Sequence, residues 1–199
     1  MKSAKEIKQY VPVQDVDQGI EPEYGADIAK SLNAFLADTY ALYIKTQNFH
    51  WNIKGLMFYP LHQMFEDHYR KLADAVDEIA ERITSLGHYA NGSFESYNEQ
   101  SHISGVNQLI PARDMLMILT KDHKKIVQLG RGLCKHVSIA NDEVTLDLIV
   151  QHMRMHEKMA WMLRASAQDV LLVTSDAQLI NEKHNQVNEN VVAKEIGAV

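Results

Sequence analysis

The sequence predicts an all-α fold, a four-helix bundle with one long crossover, on three observations. Four long segments carry apolar residues at three-, four- and seven-residue intervals, the period of one helix face. Runs that alternate apolar and polar residues are missing from the sequence, so half-buried strands are not expected. Between the second and third segments lies the Gly/Ser/Asn-rich run HYANGSFESYNEQSHISGVNQ. A connector of that length in a compact domain has a task or a short element of its own, and bundles with one long crossover are an established way of joining four helices.

The first segment repeats Ile28, Leu32, Phe35, Leu36, Leu42, Tyr43 and Phe49. It should end near Asn52, with Gly55 in the turn that follows. The second runs from about Pro60 to Leu86 and stops at Gly87, with Leu61, Phe65, Leu72, Ala75, Val76, Ile79 and Ile83 as its apolar set. Proline suits a first helical position, where its missing N–H breaks no bond. Pro111 opens the third segment in the same way, ahead of Leu116, Leu119, Ile126, Leu129 and Leu133. Gly130 and Gly132 weaken its last turns, since each glycine costs about 1 kcal/mol against alanine. The fourth segment begins at ANDEVT, with Asn141 or Asp142 as N-cap and Glu143 at the positive end of the helix dipole. It continues through Leu146, Ile149, Met153 and Met159 to about Val170. Residues 1–23, including Pro12 and Pro22, read as a polar tail, 24–172 as the bundle, and 173–199 as a C-terminal extension of mixed charge.

Composition narrows the function. The 199 residues are 46% hydrophobic and 23% charged, ordinary for one globular domain. No apolar run approaches the roughly 18 residues of a membrane span, and no apolar stretch follows the first lysines, so neither a membrane partner nor a secretory leader is expected. Cys134 is the only cysteine; a reducing, cytoplasmic setting suits it, and a multi-Cys zinc site is excluded. The net charge of −6 disfavours nucleic acid as a partner of the body of the protein. Lys2, Lys5 and Lys8 against Glu6 leave residues 1–13 locally cationic, enough for a weak contact to DNA if many copies act together.

The second segment carries the chemistry. His62 and Glu66 stand four residues apart, and so do Asp77 and Glu81; each pair therefore projects from one helix face. Eleven residues separate Glu66 from Asp77, which at 3.6 residues per turn leaves the pairs only about 20° out of line. Imidazole nitrogen with carboxylate oxygen suits iron or manganese. One chain cannot bring the two pairs together, because their centres lie roughly 22 Å apart along the helix. Yet residues 62 and 81 share their midpoint with 66 and 77, between Lys71 and Leu72. A two-fold axis there sets two such helices antiparallel, His62 near the partner's Glu81 and Glu66 near the partner's Asp77, and makes the shared site occur twice. His50 precedes His62 by twelve residues, and the turn at Gly55 folds the two towards each other.

The stretch NFHWNIKGLMFYPLHQMFEDHYRKLADAVDEIAERI resembles the signature of the mini-ferritins, the Dps proteins (DNA-binding proteins from starved cells). The pattern His-x11-His-x3-acid-x10-Asp-x3-Glu is filled in order by His50, His62, Glu66, Asp77 and Glu81, and the likeness spans about residues 25–170. Glu66 stands where many members carry Asp, with Asp67 beside it. The resemblance implies a ferritin-like bundle assembled as a hollow dodecamer in the cytoplasm. It also implies two irons per inter-subunit site, ferrous iron oxidised preferentially with hydrogen peroxide, and ferric mineral stored inside as protection against oxidative stress. It further implies that His50, His62, Asp77 and Glu81 hold the tighter iron and that Glu66 and Glu81 help hold the second, with other divalent metals as substitutes. Trp51 would lie near the iron and intercept stray oxidising equivalents. The alternative it carries is a non-specific DNA-binding nucleoid protein whose metal site is secondary. A di-iron site inside one subunit is disfavoured, because such sites use two Glu-x-x-His motifs and only Glu99–His102 has that spacing.

The remaining histidines and aromatics read more plainly. Trp161 is expected in the core, and His152 and His156 in a structural or interface role. His68, His88, His102, His123, His136 and His184 are expected at the surface, with no partner assigned to them. Asp142, Glu143 and Asp147 suit the helix dipole, and Asp147 equally suits a carboxylate ring that focuses cations at a pore.

Overall fold

The computed structural model describes residues 18–168. Helices α1 (Pro22–Asn52), α2 (Phe58–Ser85), α3 (Phe94–Gln100) and α4 (Ala112–Ile139) are followed by α5, residues 143–168. Among the described residues there is no strand, and none of the helices is long and apolar enough to cross a membrane. The four long helices pack around one core, and Leu32, Phe65, Leu72, Leu116, Ile149 and Leu163 are completely buried in it. Each such side chain contributes about 1.5–3 kcal/mol by leaving water. The tail lysines, His184, the expected helix end at Val170 and the extension 173–199 lie outside the described residues.

Several boundaries differ from expectation for local reasons. Pro22 is not in the tail but at the start of α1, where its fixed φ suits the first turn. Pro60 is the third residue of α2 rather than the first, still among the positions whose N–H has no partner within the helix. The glycines do not weaken the end of α4, which runs on to Ile139. Gly130 lets α5 approach: a Cβ there would meet Met153 Cγ at 2.9 Å. Gly130→Ala should therefore lower stability by about 1 kcal/mol in chemical denaturation, overpacking outweighing alanine's helix preference. Gly132 faces open space and should tolerate alanine with no loss.

Asn141, at φ +53°, ends the turn after α4, and Asp142 rather than Asn141 caps α5 by accepting from Thr145 N at 2.9 Å. The same carboxylate accepts two hydrogen bonds from Arg82 of α2, at 2.9 and 3.0 Å. Burial raises the Asp142 pKa, but the bonds from Thr145 and Arg82 outweigh it and hold the carboxyl below its ordinary range.

The crossover does contain an element of its own, α3, and α1 pins it at both ends. Asn33 donates to Tyr89 O at 3.1 Å and accepts from Asn91 N at 2.8 Å. Buried Asp38 accepts from Ser101 Oγ and His102 Nδ1, both at 3.0 Å. His102 thus has a partner that the sequence did not assign, and its ring stays half exposed.

Candidate metal centre

Gly55, at φ +102°, makes the turn between α1 and α2, a backbone conformation that side-chain-bearing residues rarely adopt. Phe58 N closes it on Gly55 O at 3.0 Å. The last turn of α1 then lies against the first turn of α2, and His50 meets His62. Their rings stack with centroids 3.8 Å apart. Each Nδ1 lies 2.9 Å from the other residue's backbone carbonyl. A carbonyl only accepts, so each Nδ1 carries the proton and donates it. That choice of tautomer leaves both Nε2 lone pairs free for a metal, with the ring orientation already set by the hydrogen bond on the other nitrogen. Phe58 stacks on the outer side of His62, and the Tyr69 edge meets His50.

Glu66, one helical turn beyond His62, completes the group: one donor atom from each of His50, His62 and Glu66 lies within 4.8 Å of the others. Arg70 donates to the Glu66 carboxylate, which raises the guanidinium pKa further. Arg70 is largely exposed, and an exposed i,i+4 pair is weak enough to open for a cation. Two nitrogens and one carboxylate form a hard-to-borderline donor set that fits ferrous iron and leaves coordination positions open.

Asp77 and Glu81 lie on exposed positions further along α2 and do not join the trio within the chain. Trp51 adjoins His50 and is 67% exposed. Leu56 and Tyr59, at 81% and 71%, extend an apolar exposed surface around the same turn. Asp147 is exposed and accepts a hydrogen bond from Gln151.

A family model described as Ferritin-like domain matches residues 29–172. The DNA protection during starvation protein of Porphyromonas gingivalis is 34% identical over 75% of this chain and 94% of its own length. DNA protection during starvation protein 2 of Bacillus anthracis is 37% identical over 69% of this chain and 94% of its own. The crystal structure of the Dps protein from Vibrio cholerae O1, described as a member of a superfamily of ferritin-like diiron-carboxylate proteins, superposes with a TM-score of 0.72 at 29% identity, covering 79% of this chain and 98% of that one. The chain belongs to the Dps family.

Against this Dps-family frame the other histidines need correction. His68 and His123, expected at the surface, are 1% and 0% exposed, and His152 and His156 are buried beside them. Burial lowers the pKa of His68 and His152 to about 4 and of His156 to about 3, and that of His123 well below its ordinary value. Trp161, expected in the core, is 58% exposed. The missed signal is phase. His68 falls in the 3–4 spacing Leu61, Phe65, His68, Leu72, and His123 in Leu116, Leu119, His123, Ile126, so both occupy core positions.

Proposed function

We propose that this Dps-family protein is a ferroxidase and iron store, oxidising ferrous iron with hydrogen peroxide at sites shared by two subunits. The observation that carries the reading is the trio His50, His62 and Glu66, which offer one donor atom each within 4.8 Å of one another and keep both Nε2 lone pairs free of hydrogen bonds to the protein. The exposed apolar surface around Trp51, Leu56 and Tyr59 supports a subunit contact beside it. With α2 antiparallel to its copy, Asp77 and Glu81 of the partner subunit complete the site, and twelve chains enclose the mineral.

Ferrous iron is the substrate. His50 and His62, with the partner's Asp77 and Glu81, bind one ion tightly, and Glu66 helps bind a second. Each ion gives one electron to the same peroxide, whose O–O bond breaks and takes up two protons to yield two waters. Placing both ions at one peroxide prevents one-electron cleavage, and with it the release of hydroxyl radical. The relatives' names speak of DNA protection; the lysines of this chain suited to DNA lie in residues 1–13, outside the described residues, so no observed contact favours that reading.

Anaerobic ferrous loading followed by peroxide tests the proposal when particle mass and iron:protein ratio are measured together. The expected result is a particle of twelve chains that consumes about two ferrous ions per peroxide and retains iron well beyond its site count. Oxidation no faster than in protein-free buffer would contradict it.

A further inference from the structure

Three further buried histidines, none of them part of the His50, His62 and Glu66 trio, lie on three different helices and meet inside the bundle. His123 of α4 and His156 of α5 share a buried hydrogen bond between their Nδ1 atoms, 2.8 Å apart, with ring centroids at 5.0 Å. His68 of α2 presents its ring edge-on to His123, centroids 6.1 Å apart. All three residues are at most 1% exposed. Among the described residues, both ring nitrogens of His68, and Nε2 of His123 and of His156, find no hydrogen-bond partner. Buried polar nitrogens are normally satisfied, and a core that needed only volume at these positions would be filled more cheaply by leucine or phenylalanine.

Nitrogens bound to one ion at about 2.0–2.1 Å stand about 2.8–3.4 Å apart for right-angle to tetrahedral geometry. Imidazole centroids around such an ion are then about 4.5–5.2 Å apart. His123 and His156 already hold that spacing through their Nδ1–Nδ1 hydrogen bond, and an ion bound by both takes the place of the proton they share. His68 lies outside that spacing, its ring centroid 6.1 Å from that of His123, and joins the pair only through a change of side-chain rotamer. Burial holds these imidazoles neutral at neutral pH, the form that ligates metal.

We propose that the bundle interior holds a second metal site, in which His123 and His156, joined by His68, bind one divalent late first-row cation such as Zn2+ or Co2+. An all-imidazole set selects those ions over Ca2+ and Mg2+, and it differs from the carboxylate-rich surface site in composition and place. The ion ties α2, α4 and α5 together, so its binding stabilises the folded chain. The proposal does not depend on the ferroxidase reading, and either can fail without the other.

The test uses the full-length chain, stripped of metal, in a His50→Ala/His62→Ala background that disables the surface trio. Titration with Co2+ should bind one ion per chain, produce the visible bands of imidazole-ligated cobalt, and raise Tm by several degrees. Adding His123→Gln and His156→Gln should abolish the bands and the Tm shift, and His68→Phe should weaken binding about 10-fold or more. Identical titrations with and without the His123 and His156 changes would overturn the proposal, as would no Co2+ binding by the background chain. Should the Gln variants fail to fold, a crystal of the unaltered protein soaked in Zn2+ decides. Anomalous density between His123 and His156 supports the site, and a soaked crystal without it there overturns it.

Discussion

Alanine at both His62 and Asp77 should slow peroxide-dependent ferrous oxidation by about 100-fold or more, while circular dichroism keeps its helical signal. His62 is partly buried and supplies one of the two free Nε2 atoms. Its ring also stacks on that of His50, so alanine removes a ligand and the stacking contact while keeping the backbone carbonyl to which His50 Nδ1 donates. Asp77 is exposed and makes no side-chain hydrogen bond or ion pair among the described residues, and Asp77→Ala alone should leave thermal stability within about 0.5 kcal/mol. A variant that oxidises iron at the original rate would remove both residues from the site. Stopped-flow absorbance of ferric product, read beside the melting curve, separates lost chemistry from lost fold.

Acid should unfold the protein well before its carboxylates are all protonated. His123, His152 and His156 have folded-state pKa values far below the 6.5 of an exposed imidazole. Between 6.5 and those lowered values the unfolded chain binds more protons than the folded one, so stability falls with pH. It is undiminished above about 6.5 and declines by up to about 1.4 kcal/mol per histidine per pH unit below it. Three groups acting together should remove several kcal/mol by about pH 5, a large share of a typical 5–15 kcal/mol total. Urea midpoints of metal-free protein from pH 7.5 to 4.5 measure this. A flat profile across that range would show the histidines to be solvated in solution, and His123→Leu/His156→Leu should flatten the slope of the unaltered chain.

The fold was legible because helical periodicity is strong: the apolar positions named on α1 and α2 line the core, apart from the partly buried Tyr43 and Val76. The packing role of Gly130 was not legible, since no local signal distinguishes a glycine that weakens a helix from one that admits a close approach by Met153. Treating histidine as a surface residue broke the core stripes at His68 and His123, although their spacing to neighbouring leucines held the answer. Trp161 erred in the opposite direction: its size suggested the core, while its place between Ala160 and Leu163, both buried, puts it off the stripe. The candidate site was half legible within one chain. His50, His62 and Glu66 converge through the Gly55 turn, whereas Asp77 and Glu81 meet them only if a second chain supplies them.

Mixed subunits put that last condition to the sharpest trial. His62→Ala chains and Asp77→Ala chains should each be nearly inactive alone. A dimer of one with the other has one site lacking both residues and one site with both intact. Random re-association of equal amounts should therefore restore about one quarter of the sites of the unaltered protein. Recovery of ferrous oxidation towards that level means that two chains build each site; a mixture as inactive as its two components would contradict the shared centre.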